Sequence, residues 1–260
     1  MTYSNLMIYK FTSILFLLIT SYIGFSQIVV GSSFRQVKIT SLSKYYEDIN
    51  NSIDIDRVAQ LEETNWSKVS PKGLNIAENR YGYWIKFNIE CKKSGNYYLV
   101  NEFVSIDKYY LFIKNPSGVI KSIGFIDYDQ NKNFNKLKYR FPTFKLDLKE
   151  NIRYEMFLYG FNQRSHLMMP LYLMEENQFV EYISKDELLN GIIYGILLLL
   201  IISAIVTGTF FKQKVYIFYA IHIFSILMFF IFGLGTGITY FWNEAQYLQN
   251  YGGHLCGVLN

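Results

Sequence analysis

The chain has 260 residues and a formal net charge of +4, with 51% hydrophobic and 18% charged residues. This length leaves room for one soluble domain of roughly 150 residues beside the apolar segments. The basic residues form no block, so the clustered basic face of a nucleic-acid-binding protein is excluded. Cys91 and Cys256 lie far apart and the three histidines share no ligand spacing, so neither a disulfide framework nor a metal site is indicated.

The N-terminus has the layout of a secretory signal peptide. An apolar run at residues 11–20 is followed by Gly24 and Ser26, which place small side chains at the −3 and −1 positions of a cut before Gln27. We therefore predict a signal peptide at residues 1–26, with an uncleaved anchor helix as the alternative. In both cases the segment from Gln27 to about residue 186 is expected outside the cytoplasmic membrane.

The middle of the chain is predicted to be an all-β sandwich or jelly roll outside the membrane. Residues 83–90 alternate large apolar with polar side chains, as a half-buried strand does, and similar short strands recur at regular spacing. The predicted strands are 83–90, 97–100, 108–113, 119–125, 140–146, 153–159 and 170–174. We assign residues 45–175 to this domain, with a lead-in at 27–44, a short helix at 56–63 and a polar loop at 127–138.

Two apolar segments follow and are predicted to be α-helical transmembrane spans. Residues 188–211 carry no charge over 24 positions, and residues 215–240 are also uncharged. Roughly 20 apolar residues are enough to cross a hydrocarbon core. Residues 176–187 are predicted to form a juxtamembrane helix that leads into the first span. The turn between the spans contains Lys212 and Lys214, which places it on the cytoplasmic side by the positive-inside tendency.

The last ten residues, 251–260, are predicted to be the start of a third span. We expect the sequence to be the N-terminal part of a longer multi-pass protein, whose cytoplasmic output domain is missing from this chain. The alternative is that the chain ends here naturally.

Candidate ligand-binding residues are polar or aromatic side chains expected near the surface of the β domain. Trp66 lies among polar residues and is predicted to be exposed, whereas Trp84 belongs to an alternating strand and is predicted to be buried. The loop 162–166 offers donors for a polar or anionic ligand, although a solvated loop fits the same residues. The candidates are Trp66, Arg140, Gln163, Arg164 and His166. No residue pattern indicates catalysis, so we expect neither an enzyme nor a cofactor.

Aromatic side chains are abundant and permit two interpretations. In the tyrosine pairs at 45–46, 97–98 and 109–110, one ring is expected to face the core and the other to face outward, because side chains alternate along a strand. Outward rings would be available to contact a ligand. A core rich in aromatic residues explains the same composition.

Several motifs resemble one receptor family. Gly82–Phe87, Tyr97–Leu99 and Arg140–Phe144 resemble the type-2 extracellular sensor domain of seven-transmembrane receptors with diverse intracellular signalling modules. Gly191–Leu197 and Gly235–Trp242, which flank the basic turn, resemble the opening membrane hairpin of these receptors. The resemblance covers about residue 45 to the end. It implies a sensory receptor of the bacterial inner membrane, with an outer domain similar to carbohydrate-binding modules.

Two functional interpretations therefore stay open. The first is a membrane sensory receptor whose outer domain binds a small extracellular ligand, with a saccharide as the leading candidate, and signals through the membrane helices. The second is a membrane-anchored binding or assembly protein without signalling output. Membrane lipid is an expected partner in both, a homodimer is allowed for, and nucleic acid is not expected.

We predict cleavage between Ser26 and Gln27, because the small side chains follow an apolar run of signal-peptide length. N-terminal sequencing of the protein extracted from membranes should read from Gln27. A mature protein that begins at Met1 or Thr2 would contradict this prediction and indicate an additional membrane anchor.

Overall fold

The computed structural model describes residues 27–51, 54–70, 73–76, 81–104, 106–127, 132–134, 137–163 and 166–241. Within these ranges the chain forms a largely antiparallel β-sandwich followed by long apolar helices, as the sequence predicts. The predicted signal peptide at 1–26, the candidate residue Arg164 and the predicted third-span start at 251–260 lie outside the described residues.

Two main sheets form the sandwich. In the described part of the chain the strands are β1 (Gln27–Val30), β2 (Gln36–Lys38), β3 (Lys44–Asp48), β4 (Ser67–Lys68), β5 (Leu74–Ile76), β6 (Gly82–Cys91), β7 (Gly95–Asn101), β8 (Lys108–Lys114), β9 (Ile120–Asp127), β10 (Lys132–Phe134), β11 (Thr143–Leu148), β12 (Ile152–Phe161), β13 (Leu167–Met169) and β14 (Leu171–Glu175). The large sheet has the order β10-β9-β8-β12-β6-β3-β4, and β1 also pairs with β6. The small sheet has the order β11-β7-β14-β2, and β5 pairs with β13.

The central pairing of β6 with β12 shows how the large sheet obtains two different faces. Trp84 lies opposite Tyr159 in antiparallel register. Because successive side chains point to opposite faces of a strand, Ile85, Phe87 and Ile89 point into the space between the sheets, where each is at most 2% exposed. Trp84 and Tyr159 belong to the outer face, which points away from the small sheet.

The core between the sheets is held by an aromatic stack. Tyr109 of β8 and Phe144 of β11 lie with ring centroids 5.4 Å apart and planes 11° apart, and both are fully buried. A pair of this geometry contributes about 0.5–1.5 kcal/mol beyond the burial of its surface. Cys91 is a buried free thiol in the same core, with its Sγ 3.1 Å from the carbonyl oxygen of Lys93.

The segment 27–44, which the sequence predicts as a lead-in to the β domain, supplies one strand to each of the two main sheets. β1 runs parallel to β6, from Gln27 opposite Asn88 to Val30 opposite Cys91. β2 pairs with β14 at the edge of the small sheet. Both strands are only three or four residues long, too short for the alternation that identifies a strand in sequence. The predicted polar loop at 127–138 likewise contains β10.

Part of the outer face is covered by the segment that precedes β4. Helix α1 spans Ile55–Val58 and a 3₁₀ turn spans Glu63–Asn65, where the sequence predicts one helix at 56–63. Glu63 accepts from Lys44 and Lys86 of the sheet, and these hydrogen bonds lower the pKa of its carboxyl group. The segment is therefore held on the sheet by the ion pairs of Glu63 as well as by apolar contacts.

The prediction of an exposed Trp66 is wrong, because its indole is only 6% exposed. The ring lies 6.1 Å from Tyr46 and 6.2 Å from Phe157, measured between centroids. The ammonium group of Lys86 sits 5.0 Å from the indole centroid. The prediction was based on the polar neighbours Asn65, Ser67 and Lys68, which are exposed. The side chain of Trp66 points instead toward the sheet.

Up to residue 241, where the described part of the chain ends, three helices follow the sandwich: α2 (Glu176–Phe210), α3 (Lys214–Gly233) and the short α4 (Thr236–Tyr240). The predicted juxtamembrane helix and first span form one continuous helix of 35 residues. The second span ends at Gly233 rather than at residue 240, because Gly235 adopts the left-handed conformation with φ +75°. In the described residues, α2 and α3 are long and apolar enough to cross a membrane.

We predict that Trp84→Ala unfolds the β domain. Trp84 is 3% exposed, and truncating a buried aromatic side chain typically costs about 3–5 kcal/mol out of a total stability of roughly 5–15 kcal/mol. The measurement is thermal unfolding of the purified full chain in detergent, with Trp84→Phe as a control that keeps an aromatic ring. An alanine variant that melts like wild type would show that Trp84 contributes little to the core.

Candidate functional site

An aromatic row crosses the outer face of the large sheet. Tyr46, Trp84, Tyr159, Tyr110 and Phe125 lie opposite one another on five successive strands, from β3 to β9. The Trp84 and Tyr159 centroids are 5.0 Å apart, and the Tyr159 and Tyr110 rings are parallel to within 12° at 5.7 Å. Trp66 packs on the Tyr46 end, Trp84 and Tyr159 in the middle are 3% and 8% exposed, and Tyr110 and Phe125 at the other end are half-buried. We therefore distinguish a half covered by Trp66 from an open half around Tyr110.

A pocket of about 280 Å³ lies over the open half of the aromatic row. The residues that line this pocket, called here the aromatic pocket, are Asn51, Trp84, Lys108, Tyr110, Tyr159 and Phe161. Its walls are aromatic rings, and its polar groups are an amide, an ammonium group and two phenol hydroxyls. This combination can hold a small ligand that presents both apolar faces and hydrogen-bonding groups.

Hydrogen bonds and close packing fix the pocket. The hydroxyl of Tyr110 donates to Oδ2 of Asp127 at 3.1 Å. A Cβ added at Gly82 would lie 2.3 Å from the hydroxyl oxygen of Tyr159, so the ring of Tyr159 occupies space that only glycine leaves open. Burial, and secondarily the charge of Asp48, raises the pKa of Tyr159 to about 12. The tyrosine hydroxyl is therefore neutral and keeps its proton for hydrogen bonding at physiological pH.

A second polar centre lies where the sandwich meets the membrane helices, and we call it the junction. The guanidinium group of Arg140 donates from Nε and Nη2 to the two carboxylate oxygens of Asp186 on α2, at 2.6 and 2.5 Å. Its third nitrogen, Nη1, donates to the carbonyl oxygen of Leu234 at 2.9 Å, just after α3. The hydroxyl of Tyr139 also donates to Asp186, at 2.8 Å. One loop of the sandwich therefore binds α2 and the residue that follows α3.

A neighbouring loop reinforces the junction. Val104 packs so closely against Gly235 that a Cβ at position 235 would lie 2.4 Å from Cγ1 of Val104. Glu102 of the same loop accepts a 2.6 Å hydrogen bond from the hydroxyl of Tyr182 on α2. Both loops thus contact α2 and the turn after α3.

The first turns of α2 also dock on the small sheet. The rings of Tyr98 and Phe179 are stacked, with centroids 4.2 Å apart, and Glu176 accepts from the hydroxyl of Tyr98 at 3.0 Å. This contact leaves Tyr98 7% exposed, while Tyr97 on the opposite face of β7 is 1% exposed beside Phe34. The expectation that one ring of this pair faces outward is therefore wrong, because the helix covers the second face of β7.

A cavity of about 380 Å³ lies directly below the junction, between α2, α3 and α4. Arg140 and Asp186 close its upper end, and Leu198, Leu227 and Ile231 form its apolar lower part. The cavity thus brings the polar junction into contact with apolar surface of the helices that are long enough to cross a membrane.

The structure does not bring the predicted ligand residues together. Trp66 is buried on the covered half of the outer face, and Arg140 is engaged at the junction. Gln163 is exposed, with its backbone N–H donating to Asp107 at 2.7 Å, and His166 is exposed beside the ring of Phe103 at 5.3 Å. None of these four residues lines the aromatic pocket. Their role in ligand binding stays a prediction.

Sequence reasoning missed most of the aromatic pocket. Asn51 and Lys108 lie at the ends of strands, and Phe161 is the last residue of β12. A signal for Tyr110 was present, because it is the half-buried member of a pair whose partner Tyr109 is fully buried. Tyr110 and Tyr159 are neighbours only because β8 pairs with β12. The sequence of a single strand does not reveal this pairing. No group of three metal-ligating side chains was found among the described residues.

A β-sandwich tied to apolar helices by a buried ion pair defines the class of an extracellular sensor joined to a membrane region. The family model described as 7TMR-DISM extracellular 2 matches residues 40–175, more than half of the chain. The model described as 7TM diverse intracellular signalling matches residues 186–259. The chain belongs to the family of seven-transmembrane receptors with diverse intracellular signalling modules, and it is a membrane protein with an extracellular sensor domain. No curated protein matches the chain.

Among solved structures, the sandwich is similar to TmCBM61, solved in complex with β-1,4-galactotriose. The identity is 11% and the TM-score 0.28, over 56% of this chain and 91% of that chain. A β-glucosidase from Kluyveromyces marxianus, solved in complex with glucose, matches with 13% identity and a TM-score of 0.25, over 51% of this chain and 15% of that chain. Scores this low carry no argument about ligand or mechanism.

We predict that Gly235→Ala weakens the junction, because alanine in the left-handed conformation costs about 1–2 kcal/mol and its Cβ would collide with Val104. Unfolding of the full chain in detergent measures this loss. Adding Val104→Ala to Gly235→Ala should relieve the collision and recover part of the loss. Gly233→Ala is the matched control, since its Cβ would meet nothing within 4 Å. Equal effects of the two glycine substitutions would contradict the close contact described here.

Proposed function

We propose that this protein is a membrane sensory receptor, or the N-terminal part of one, whose extracellular domain binds a small ligand and signals through its membrane helices. A saccharide is the leading candidate for the ligand. We further propose that the chain crosses the bacterial inner membrane more than once, with the turn containing Lys212 and Lys214 on the cytoplasmic side.

The observation that carries this proposal is the set of contacts made by Arg140. One guanidinium group, 13% exposed, binds a carboxylate on α2 and a backbone carbonyl after α3. The planar arrangement of its N–H donors permits both contacts simultaneously, which an ammonium group on a flexible stem does not reproduce. A displacement of the Arg140 loop relative to the membrane therefore acts on both helices.

The continuous helix α2 supplies the path through the bilayer. Its 35 residues correspond to about 50 Å at 1.5 Å per residue, more than the thickness of a hydrocarbon core of about 30 Å. Among the described residues, no break separates the part docked on the small sheet from the part that is long enough to cross the membrane. A ligand changes the helix position only if it binds the two receptor conformations with different affinity.

We predict that Arg140→Gln uncouples ligand binding from the membrane hairpin. The substitution leaves Asp186 without its cation, and removing one partner of a buried ion pair typically costs about 3–5 kcal/mol. Adding Asp186→Asn removes the unpaired charge, so the double variant should regain stability without regaining coupling. Arg153→Gln is the matched control, because Arg153 lies on the same domain with its side chain 74% exposed.

The measurement uses the full chain in lipid nanodiscs, carrying Gln213→Cys with a fluorescent label in a Cys256→Ser background. Glucose, galactose and N-acetylglucosamine are added at millimolar concentration, and binding is followed separately by calorimetry. Wild type and Arg153→Gln should show a sugar-dependent change in label emission, whereas the Arg140→Gln, Asp186→Asn double variant should bind sugar without this change. Binding without an emission change in wild type would favour an anchored binding protein without signalling, and no binding at all would reject the saccharide.

A further inference from the structure

We infer that the aromatic pocket is the ligand site of the sensor domain, and that it takes one uncharged, polyhydroxylated ring of about pyranose size. This inference rests on the proposed function, since it names the site and the ligand class of the receptor. The pocket residues are Asn51, Trp84, Lys108, Tyr110, Tyr159 and Phe161, and none of them was among the residues expected from sequence to bind a ligand.

The size of the pocket limits the ligand. Its volume of about 280 Å³ is at the lower end of ligand pockets, which commonly measure roughly 300–1,000 Å³. A single six-membered ring with its hydroxyl groups fits this space, whereas an oligosaccharide would extend beyond it. Tyr110 and Phe161 are half-buried, so each retains exposed ring surface that the C–H faces of a sugar ring can cover.

The charges around the pocket favour an uncharged ligand. Asp127 stands behind Tyr110, held by the hydroxyl of that ring at 3.1 Å, and Asp48 is close enough to Tyr159 to raise its pKa. Neither carboxylate lines the pocket, but both lie buried behind its tyrosine rings and oppose an anionic ligand through their charge. A cationic ligand would face the ammonium group of Lys108, which lies 5.8 Å from the ring centroid of Phe161. Hydroxyl groups, which both donate and accept, match the mixed set of polar groups without either conflict.

The chain connects this pocket to the junction over a short distance. Lys108 begins β8, and Val104, four positions earlier, packs against Gly235 after α3. Between them, Asp107 is tied to β12 by the 3.1 Å hydrogen bond from its N–H to the carbonyl oxygen of Phe161. Phe161 and Lys108 line the pocket and lie opposite each other in the sheet. A ligand that draws these two strand ends together acts on the loop that touches the membrane helices.

A binding series on the full chain in nanodiscs tests the site and the ligand class together. The probes are glucose, galactose and N-acetylglucosamine, with glucuronate and glucosamine as rings of similar size that carry a negative and a positive charge. The variants are Tyr110→Ala and Phe161→Ala, with Tyr110→Phe retaining the ring and losing only the hydroxyl. Tyr219→Ala is the control for loss of an exposed tyrosine, since Tyr219 is 52% exposed on α3. Thermal unfolding confirms that each variant is folded.

We expect at least one neutral sugar to bind more tightly than both charged rings. Tyr110→Ala and Phe161→Ala should each weaken its binding by about tenfold, the upper range of an aromatic contact. Tyr110→Phe should stay within about threefold of wild type, because the variant retains the ring that contacts the sugar and loses only the hydroxyl that donates to Asp127. Tyr219→Ala should bind like wild type.

Three results would overturn the inference. Wild-type affinity in both alanine variants would place the ligand elsewhere, and tighter binding of glucuronate or glucosamine would reject the uncharged class. No binding of any probe to wild type would reject both. The first result leaves the receptor proposal intact if the label at position 213 still responds to sugar, so failure of the site is distinguished from failure of signalling.

Discussion

The guanidinium group of Arg140 contacts three parts of this molecule at once: a loop of the sandwich, helix α2 and the turn after α3. A sandwich and a helical hairpin each bury their own apolar surface, so their relative position depends on directional contacts between them. Arg140 supplies these through two donors to Asp186 and one to the carbonyl of Leu234. Because the ion pair is largely sheltered from water, with side chains 13% and 16% exposed, salt screens it less than a surface pair.

The two sheets of the extracellular domain make different contacts. The small sheet carries α2 against Tyr98 and thereby sets the direction in which the helix enters the membrane. The large sheet keeps the Tyr110 end of its outer face partly exposed, whereas Trp84 and Tyr159 are nearly buried and Trp66 packs on Tyr46. The stack of Tyr109 on Phe144 links the sheets through the core, so displacement of one sheet disturbs packing against the other.

Sequence patterns predicted the central strands and the apolar helices well, because each is long enough to show its own periodicity. β6 was expected at 83–90 and lies at Gly82–Cys91. The short edge strands β1 and β2 escaped prediction because three or four residues carry no recognisable alternation. Trp66 was wrongly expected to be exposed, and the pocket residues were not recognised as a group, for a different reason. Their environment is set by strand pairing and by a covering segment from elsewhere in the chain. Arg140 was singled out, but its partners Asp186 and Leu234 are 46 and 94 positions away.

The placement of the aromatic pocket on the outer face has a consequence for how such receptors diversify. Tyr110 and Phe161 on that face are half-buried, so substitutions of these two residues change the surface offered to the proposed ligand while Tyr109 and Phe144 keep the sandwich intact. The ion pair between Arg140 and Asp186 lies on a different part of the domain. Under the proposed function, ligand preference and transmission therefore depend on separate residues, so gene duplicates can acquire new stimuli while retaining one inherited coupling to the membrane.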